Sequence, residues 1–242
     1  MKGMAEREYR NLVSPEGLIP FRVTVQETDL LVMAEKALPE YTREMVIRHR
    51  QVLETYIESH PLFRESMLPL DDDSRAPEIV RDMLRAGQQC GVGPMAGVAG
   101  AIAQFVGEDL LTHSSDVIVE NGGDIYMKSS KERRVAIYAG SSSLSLKIGV
   151  IISPDSMPTG VCTSSGTVGP SRSFGRADAV CIVCGSATLA DTAATAVGNR
   201  VRSRRDIKEG LKLAQKIEGV RGALVIVEDG LGVWGDIELV RI

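Results

Sequence analysis

No stretch of this chain approaches the ~18–20 uninterrupted apolar residues that a membrane-spanning helix needs, so no span is expected. The opening MKGMAEREYRNL lacks the apolar segment of a secretory signal, and a cytoplasmic protein is the expectation. A dominant charge sign is missing as well. Lys+Arg 28 against Asp+Glu 32 leaves a net charge of -4, without the basic excess that would favour nucleic acid or an anionic membrane as partner. Cysteine is scarce, at positions 90, 162, 181 and 184, and the three histidines are scattered. Cys181-Ile-Val-Cys184 has the spacing of half a zinc site, but no second pair follows. Its surroundings read as a strand, where side chains three apart point to opposite faces. These cysteines are therefore expected to be small apolar core residues in a reducing compartment.

Standard catalytic signatures are absent too. Gly91-Val-Gly93 completes no dinucleotide fingerprint, and Gly166-Thr-Val-Gly-Pro170 is followed by no Gly-Lys-Ser/Thr of a phosphate loop. There is no Gly-x-Ser-x-Gly elbow and no paired-histidine metal motif. What is there is ordinary globular material: 242 residues, 43% hydrophobic and 25% charged, enough for one large domain or two small lobes sharing a core. Strands are expected at 21–25, 117–120, 125–128, 134–138, 146–152 and 177–184, with helices at 41–60, 77–89, 95–111, 188–201 and 206–217. A hairpin of 222–227 with 232–240 closes the chain. Strands and helices come in blocks, which favours α+β over a regularly alternating fold.

Three stretches carry candidate chemistry. Between two strands lies Asn121-Gly-Gly-Asp124. Asn121-Gly122 alone makes a tight turn, yet a second glycine and an aspartate exceed what a turn requires. Gly122 and Gly123 let backbone amides approach a ligand, and Asn121 and Asp124 add polar groups. The second stretch, Val161-Cys-Thr-Ser-Ser-Gly-Thr167 running on to Gly175, crowds hydroxyls and amides after a strand. Such a loop is either a plain surface connection or an anion-binding concavity, with Arg172 and Arg176 at hand. In the third, Leu189 to Ala196, Asp191 and Thr195 stand one helical turn apart. A carboxylate and a hydroxyl together suit a hard cation such as Mg²⁺. Equally, Thr188-Leu-Ala-Asp191 fits a capping box, with Thr195 bonding back to its own helix.

Taken in order, these pieces resemble the ApbE superfamily, whose best-known members are Mg²⁺-dependent flavin transferases. Gly100-Ala-Ile-Ala103 is similar to its small-residue helix and Asn121-Gly-Gly-Asp-Ile125 to its glycine hairpin. Thr163-Ser-Ser-Gly166 is similar to its Thr-Ser-Gly loop and Ala190-Asp-Thr-Ala-Ala-Thr-Ala196 to its metal helix. The short, uncharacterised branch is nearer still, through Gly93 to Gly100, Glu120 to Asp124, Ser164 to Asp178 and Glu27-Thr-Asp-Leu30. The resemblance implies an α+β fold of mixed or antiparallel sheets with packed helices, one compact two-lobed unit over residues 1–242. It also implies Mg²⁺ held by Asp191 and Thr195, with a backbone carbonyl near Gly100 or Ala101. FAD, or another nucleotide or metabolite, would lie against Asn121, Gly122, Gly123, Asp124, Ser164, Ser165 and Gly166. The implied reaction is transfer of FMN from FAD to a protein Ser or Thr, with release of AMP. A homo-oligomer is compatible with the sequence but not specified by it.

Departures from the transferase pattern open an alternative. Gln104 stands where the transferases usually carry lysine, Val98 where they carry aspartate, and Pro170 where branch members often show histidine. Their His-x-x-Asp-Pro-x-Thr-Gly segment is missing. Hydroxyl attack needs a proton acceptor, for which Asp178 is a candidate only by its proximity in sequence. The alternative is a non-transferase: a metabolite-binding or accessory protein in sulfur or amino-acid metabolism on the same scaffold.

Overall fold

The computed structural model describes Val13, residues 15–165 and residues 175–242. Seventeen elements run in the order β1 (Ile19–Val25), β2 (Thr28–Ala34), α1 (Pro39–Ser59), α2 (Pro61–Glu65), α3 (Glu78–Cys90), α4 (Val98–Leu110), β3 (Val117–Asn121), β4 (Asp124–Lys128), β5 (Arg133–Ala136), β6 (Ile148–Ile152), β7 (Thr159–Ser164), β8 (Ala179–Cys184), α5 (Ala187–Arg200), α6 (Ile207–Lys216), β9 (Val220–Val227), β10 (Gly230–Gly235) and β11 (Glu238–Arg241). Prolines open α1 and α2, where a missing N–H costs nothing, and Gly91 in the left-handed region (φ 72°) ends α3.

Eight strands form one sheet in the order β1-β2-β3-β4-β7-β8-β9-β10, and β11-β6-β5 form a second. Every pairing is antiparallel. The helices cover one face of the large sheet; the small sheet covers the other. Strand β8 shows the consequence. Val180, Ile182 and Cys184 enter the helix-side core, while Ala179, Cys181 and Val183 enter the core between the sheets. Cys181 and Cys184 thus face opposite ways, as a strand requires. Burial pushes the Cys181 thiol up to about 12, a poor metal ligand or nucleophile. No single helix of the described residues is long and apolar enough to cross a membrane.

Three differences from the sequence reading have physical causes. Strand β2 was not expected. Thr-Asp-Leu-Leu-Val-Met-Ala is buried at six of its seven positions, so the period-two signal is erased. The expected strand 232–240 is two strands. At Gly235 (φ 84°) the chain leaves β9 and the large sheet, and β11 pairs with β6 instead. The expected helix 95–111 begins as a 3-10 turn over Pro94–Gly97 before α4 proper.

Helix α4 lies against α5 at backbone distance. A β-carbon on Gly100 would sit 2.2 Å from the Ala187 carbonyl oxygen and 2.8 Å from Asp191 Cβ. Gly100→Ala is therefore expected to force these helices apart and cost about 1–3 kcal/mol. A thermal melt checks it; an unchanged Tm would mean the contact is loose.

Candidate functional site

The site grows from the N-terminus of α4, whose own cap position, Gly97, offers no side chain. The first-turn amides of a helix need acceptors, and Asp191 of α5 supplies one. Its Oδ2 accepts the Gly100 N–H at 2.9 Å, and its carboxylate also takes the Ala99 N–H. The carbonyl of the same Ala99 accepts Asn121 Nδ2 at 3.1 Å. Asn121 closes β3, so one backbone unit of α4 is gripped from α5 and from the glycine hairpin. The exchange between helices is mutual. Ser186 caps α5 through Leu189 N, and Gln104 of α4 accepts the Ala187 N–H at 2.8 Å and Ser186 Oγ at 3.0 Å.

The hairpin turn consists of Gly122 and Gly123, between the paired Asn121 and Asp124, instead of the expected Asn121-Gly122. Both glycines have positive φ, 70° and 106°, which only glycine adopts without strain. Glu120 Oε1 accepts the Gly123 N–H at 2.7 Å and holds the turn from the opposite face. Asp124 pairs across the sheet with Cys162 and, by alternation with Ile125 in the inter-sheet core, turns its carboxyl toward the helices. There it meets the field of Asp191.

Both carboxyls are displaced upward. Burial pushes Asp191 up to about 7 despite the two amides that favour its anion. Burial, and then the negative charge of Asp191, hold Asp124 well above the usual carboxylate range; the Cys162 thiol pulls it down by less, and Glu120 adds a smaller push upward. Asp191 is buried and Asp124 half-buried, and two carboxyls in each other's field resist double ionisation. No group of three or more His, Cys, Asp or Glu among the described residues stands close enough to hold a metal. A cation here would need hydroxyl, carbonyl or ligand oxygens besides the two carboxyls.

Of the residues singled out from sequence, the fold gathers Asn121, Gly122, Gly123, Asp124 and Asp191 at one end of the large sheet. Thr195 is half-buried one turn along α5 from Asp191. Ser164 ends β7, two residues past the partner of Asp124, and half-buried Ser165 follows. Gly166, Pro170 and Arg172 lie outside the described residues. The capping-box reading of Thr188 to Asp191 is corrected: the cap of α5 is Ser186, and Asp191 caps α4. Asp178 is not part of this group. Its carboxylate accepts the Glu228 N–H at 2.6 Å and pins the β9–β10 turn. Glu27 and Thr28 bind Arg50 of α1, and Asp29 holds Arg22 with two bonds of 2.7 and 2.6 Å. That motif secures the β1–β2 hairpin. Sequence reasoning missed the Asp124–Asp191 pairing and the cap made by Gln104, because neither leaves a local pattern.

The carboxyl pair sets a pH dependence. Groups whose folded pKa is raised hold protons longer in the native state, so their contribution to stability is full near pH 4 and falls as pH rises through about 7. Without divalent cations, Asp124→Asn is expected to raise Tm at pH 8 by a few degrees, with a smaller gain at pH 5. Melts in chelator check this; a variant less stable than wild type at pH 8 would contradict it.

The comparisons agree with this architecture. The family described as AbpE bacteria matches residues 10–231. A UPF0280 protein of Methanosarcina acetivorans is 41% identical over 216 residues, covering 88% of this chain and 85% of that one. A UPF0280 protein of Methanocaldococcus jannaschii is 40% identical over 227 residues, covering 91% and 92%. Among solved structures, the fold is similar to the apo flavinyl transferase ApbE of Pseudomonas stutzeri, with TM-score 0.62, 16% identity and coverage of 90% and 94%. The flavin transferase ApbE of Vibrio cholerae gives 0.59 and 14%, covering 90% and 96%. With the family matching most of its length and curated relatives near 40% identity, the chain belongs to the AbpE bacteria family.

Proposed function

We propose that this protein binds a flavin nucleotide, or a related diphosphate, with help from a divalent cation, and that it transfers flavin slowly or not at all. The observation that carries the reading is the Asp124–Asp191 pair, a half-buried and a buried carboxyl raised together at the end of a gripped helix. An all-oxygen donor set that is short of positive charge fits Mg²⁺ better than Zn²⁺. Asp191, Asp124 and Thr195 are the residues that would hold it. The bound cation would supply charge neutralisation at the diphosphate. The Gly122 and Gly123 backbone would then approach the ligand, with Ser164, Ser165 and Gly166 contributing hydroxyls and amide. The solved flavin transferases lend the fold; flavin as ligand here is an inference from them.

The weak or absent transfer in this reading draws on Gln104. Its carbonyl oxygen is committed to the first amides of α5, and its Nε2 donates to Glu108 at 3.1 Å. It brings no cation to a phosphate. Asp178, the candidate base, is engaged at the β9–β10 turn instead, and a positioned base is worth typically ~10²–10⁴-fold in rate.

Calorimetry with FAD, with and without Mg²⁺, tests the binding half. Wild type should bind only when Mg²⁺ is present, and Asp124→Asn should lose that dependence at undiminished stability. Asp191→Ala should lose binding and also about 0.5–2 kcal/mol of stability, because it uncaps α4. Equal binding by all three proteins would reduce Asp191 to a cap. A turnover assay with FAD, Mg²⁺ and a flavinylation-motif peptide tests the other half: little in-gel flavin fluorescence is expected. Robust labelling that depends on Asp191 would make the protein a transferase.

A further inference from the structure

The two most exposed large apolar side chains among the described residues, Leu68 and Leu62, lie in one short span, 72% and 66% exposed, and Met67 between them is 50% exposed. Soluble proteins scatter such side chains, and a concentration of them marks a contact surface. Beside them the fold leaves a cavity of ≈ 350 Å³. Phe63 and Leu84, both almost fully buried, form its floor, and Leu62, Leu70 and the ring of Tyr56 continue its wall. Tyr56 is fixed in place. It stacks on His60 with ring centroids 4.1 Å apart, meets Phe63 edge-on at 5.3 Å, and donates its hydroxyl to Asp73 Oδ2 at 3.3 Å. Ligand pockets span ~300–1,000 Å³. One at the small end with an apolar floor accepts a bulky side chain, not a dinucleotide.

Around this apolar wall one sign of charge prevails. Glu58, Glu65, Asp71, Asp72 and Asp73 stand against Arg64 and Arg75 in the same stretch of chain. Asp72 is answered by Arg85 at 3.4 Å, and Asp73 is taken by the Arg75 N–H and the Tyr56 hydroxyl. Asp71 is different. It lines the cavity itself, is exposed, and has no ion-pair partner among the described residues.

We propose that this surface docks a segment of a partner protein in which a bulky apolar side chain is flanked by lysine or arginine, with the apolar group in the cavity and the cation at Asp71. Charge decides among the occupants. A second copy of this chain in an isologous contact would set the carboxylates of Asp71 to Asp73 against their own copies. Nucleic acid or an anionic lipid surface would meet them with phosphate. A basic apolar segment uses both features: it covers Leu62, Met67 and Leu68, and its positive charge steers it to the acidic rim. The surface is also joined tightly to the candidate site. The Met67 carbonyl accepts the Gly93 N–H at 3.0 Å. Gly93 has no room for a β-carbon against the Ser66 carbonyl, nor Gly97 against Thr192 of α5. A partner seated here therefore lies near the end of α4 that Asp191 caps. The inference does not rest on flavin or Mg²⁺ binding.

Titration of isotope-labelled protein with the blocked hexapeptide Gly-Lys-Phe-Leu-Lys-Gly, without FAD or Mg²⁺, tests it. Resonance shifts should move saturably and centre on residues 56–73 and Leu84. The charge-reversed peptide Gly-Glu-Phe-Leu-Glu-Gly should bind at least about tenfold more weakly, and Asp71→Lys should invert that preference. Leu62→Ser should weaken binding of the basic peptide by about threefold or more. Asp71 and Leu62 are both exposed, so the fold should survive each change, as an unaltered Tm will show. No saturable shift, equal binding of the two peptides, or shifts centred elsewhere overturns the proposal. So does self-association of wild type that Leu62→Ser and Leu68→Ser abolish, which would give the surface to a second copy.

Discussion

Two helices that cap each other hold this site together. Asp191 lies in the second turn of α5 and serves the first amides of α4; Gln104 lies in the second turn of α4 and serves the first amides of α5. The exchange works only if the backbones nearly touch, which is why Gly100 faces Ala187 with no room for a β-carbon. Each helix thus lacks a complete local cap and borrows one from the other. Side-chain caps are usually worth about 1 kcal/mol each, and here they also fix the relative position of two elements. Asn121, bound to the Ala99 carbonyl, ties the glycine hairpin into the same junction. Helix α4, helix α5 and the β3–β4 turn become one assembly.

That assembly does something a purely structural junction would avoid. It brings Asp124 into the field of Asp191 in surroundings where neither ionises easily. A single carboxylate would cap α4 equally well, and a neutral Asn at 124 would spare the repulsion. Natural folds keep local conflicts of this kind mainly where function needs them. Capping and cation binding are not exclusive for Asp191. An ionised carboxylate offers about four lone-pair sites, so two amides leave capacity for another ligand. The amides also help select the anion, which is the form a cation needs.

Much of the fold was legible in the sequence because its elements carry strong local marks. Pro39 and Pro61 bracket α1, the run Asn121-Gly-Gly-Asp124 marks a hairpin though not its two turn residues, and the alanine run of α5 reads as helix. Legibility failed where burial is two-sided or the chain changes sheet. Strand β2 is nearly all buried and shows no alternation, while Gly235 hides a switch between sheets inside one apolar run. Within the site, the members were visible as separate motifs but their relations were not. Nothing in the segment around Asp191 announces that its carboxylate caps a helix far back in the chain. Nothing around Gln104 announces that it has taken over the first turn of α5.

Gln104 bears most directly on what the fold is used for. A lysine in its place could not cap α5, since an ammonium donates hydrogen bonds and accepts none. The Ala187 and Thr188 N–H groups would need another acceptor, and the positive end of the α5 dipole would face a second positive charge. The residue at 104 is therefore coupled to the environment of the α5 N-terminus: glutamine satisfies it internally, whereas lysine would leave both the amides and the cation to seek a shared anion. A chain with glutamine here has closed the junction by itself. It keeps the carboxylate pair one turn further along α5 and gives up a cationic contact beside it. That combination favours retention of a cation-dependent ligand over stabilisation of charge building on a leaving phosphate.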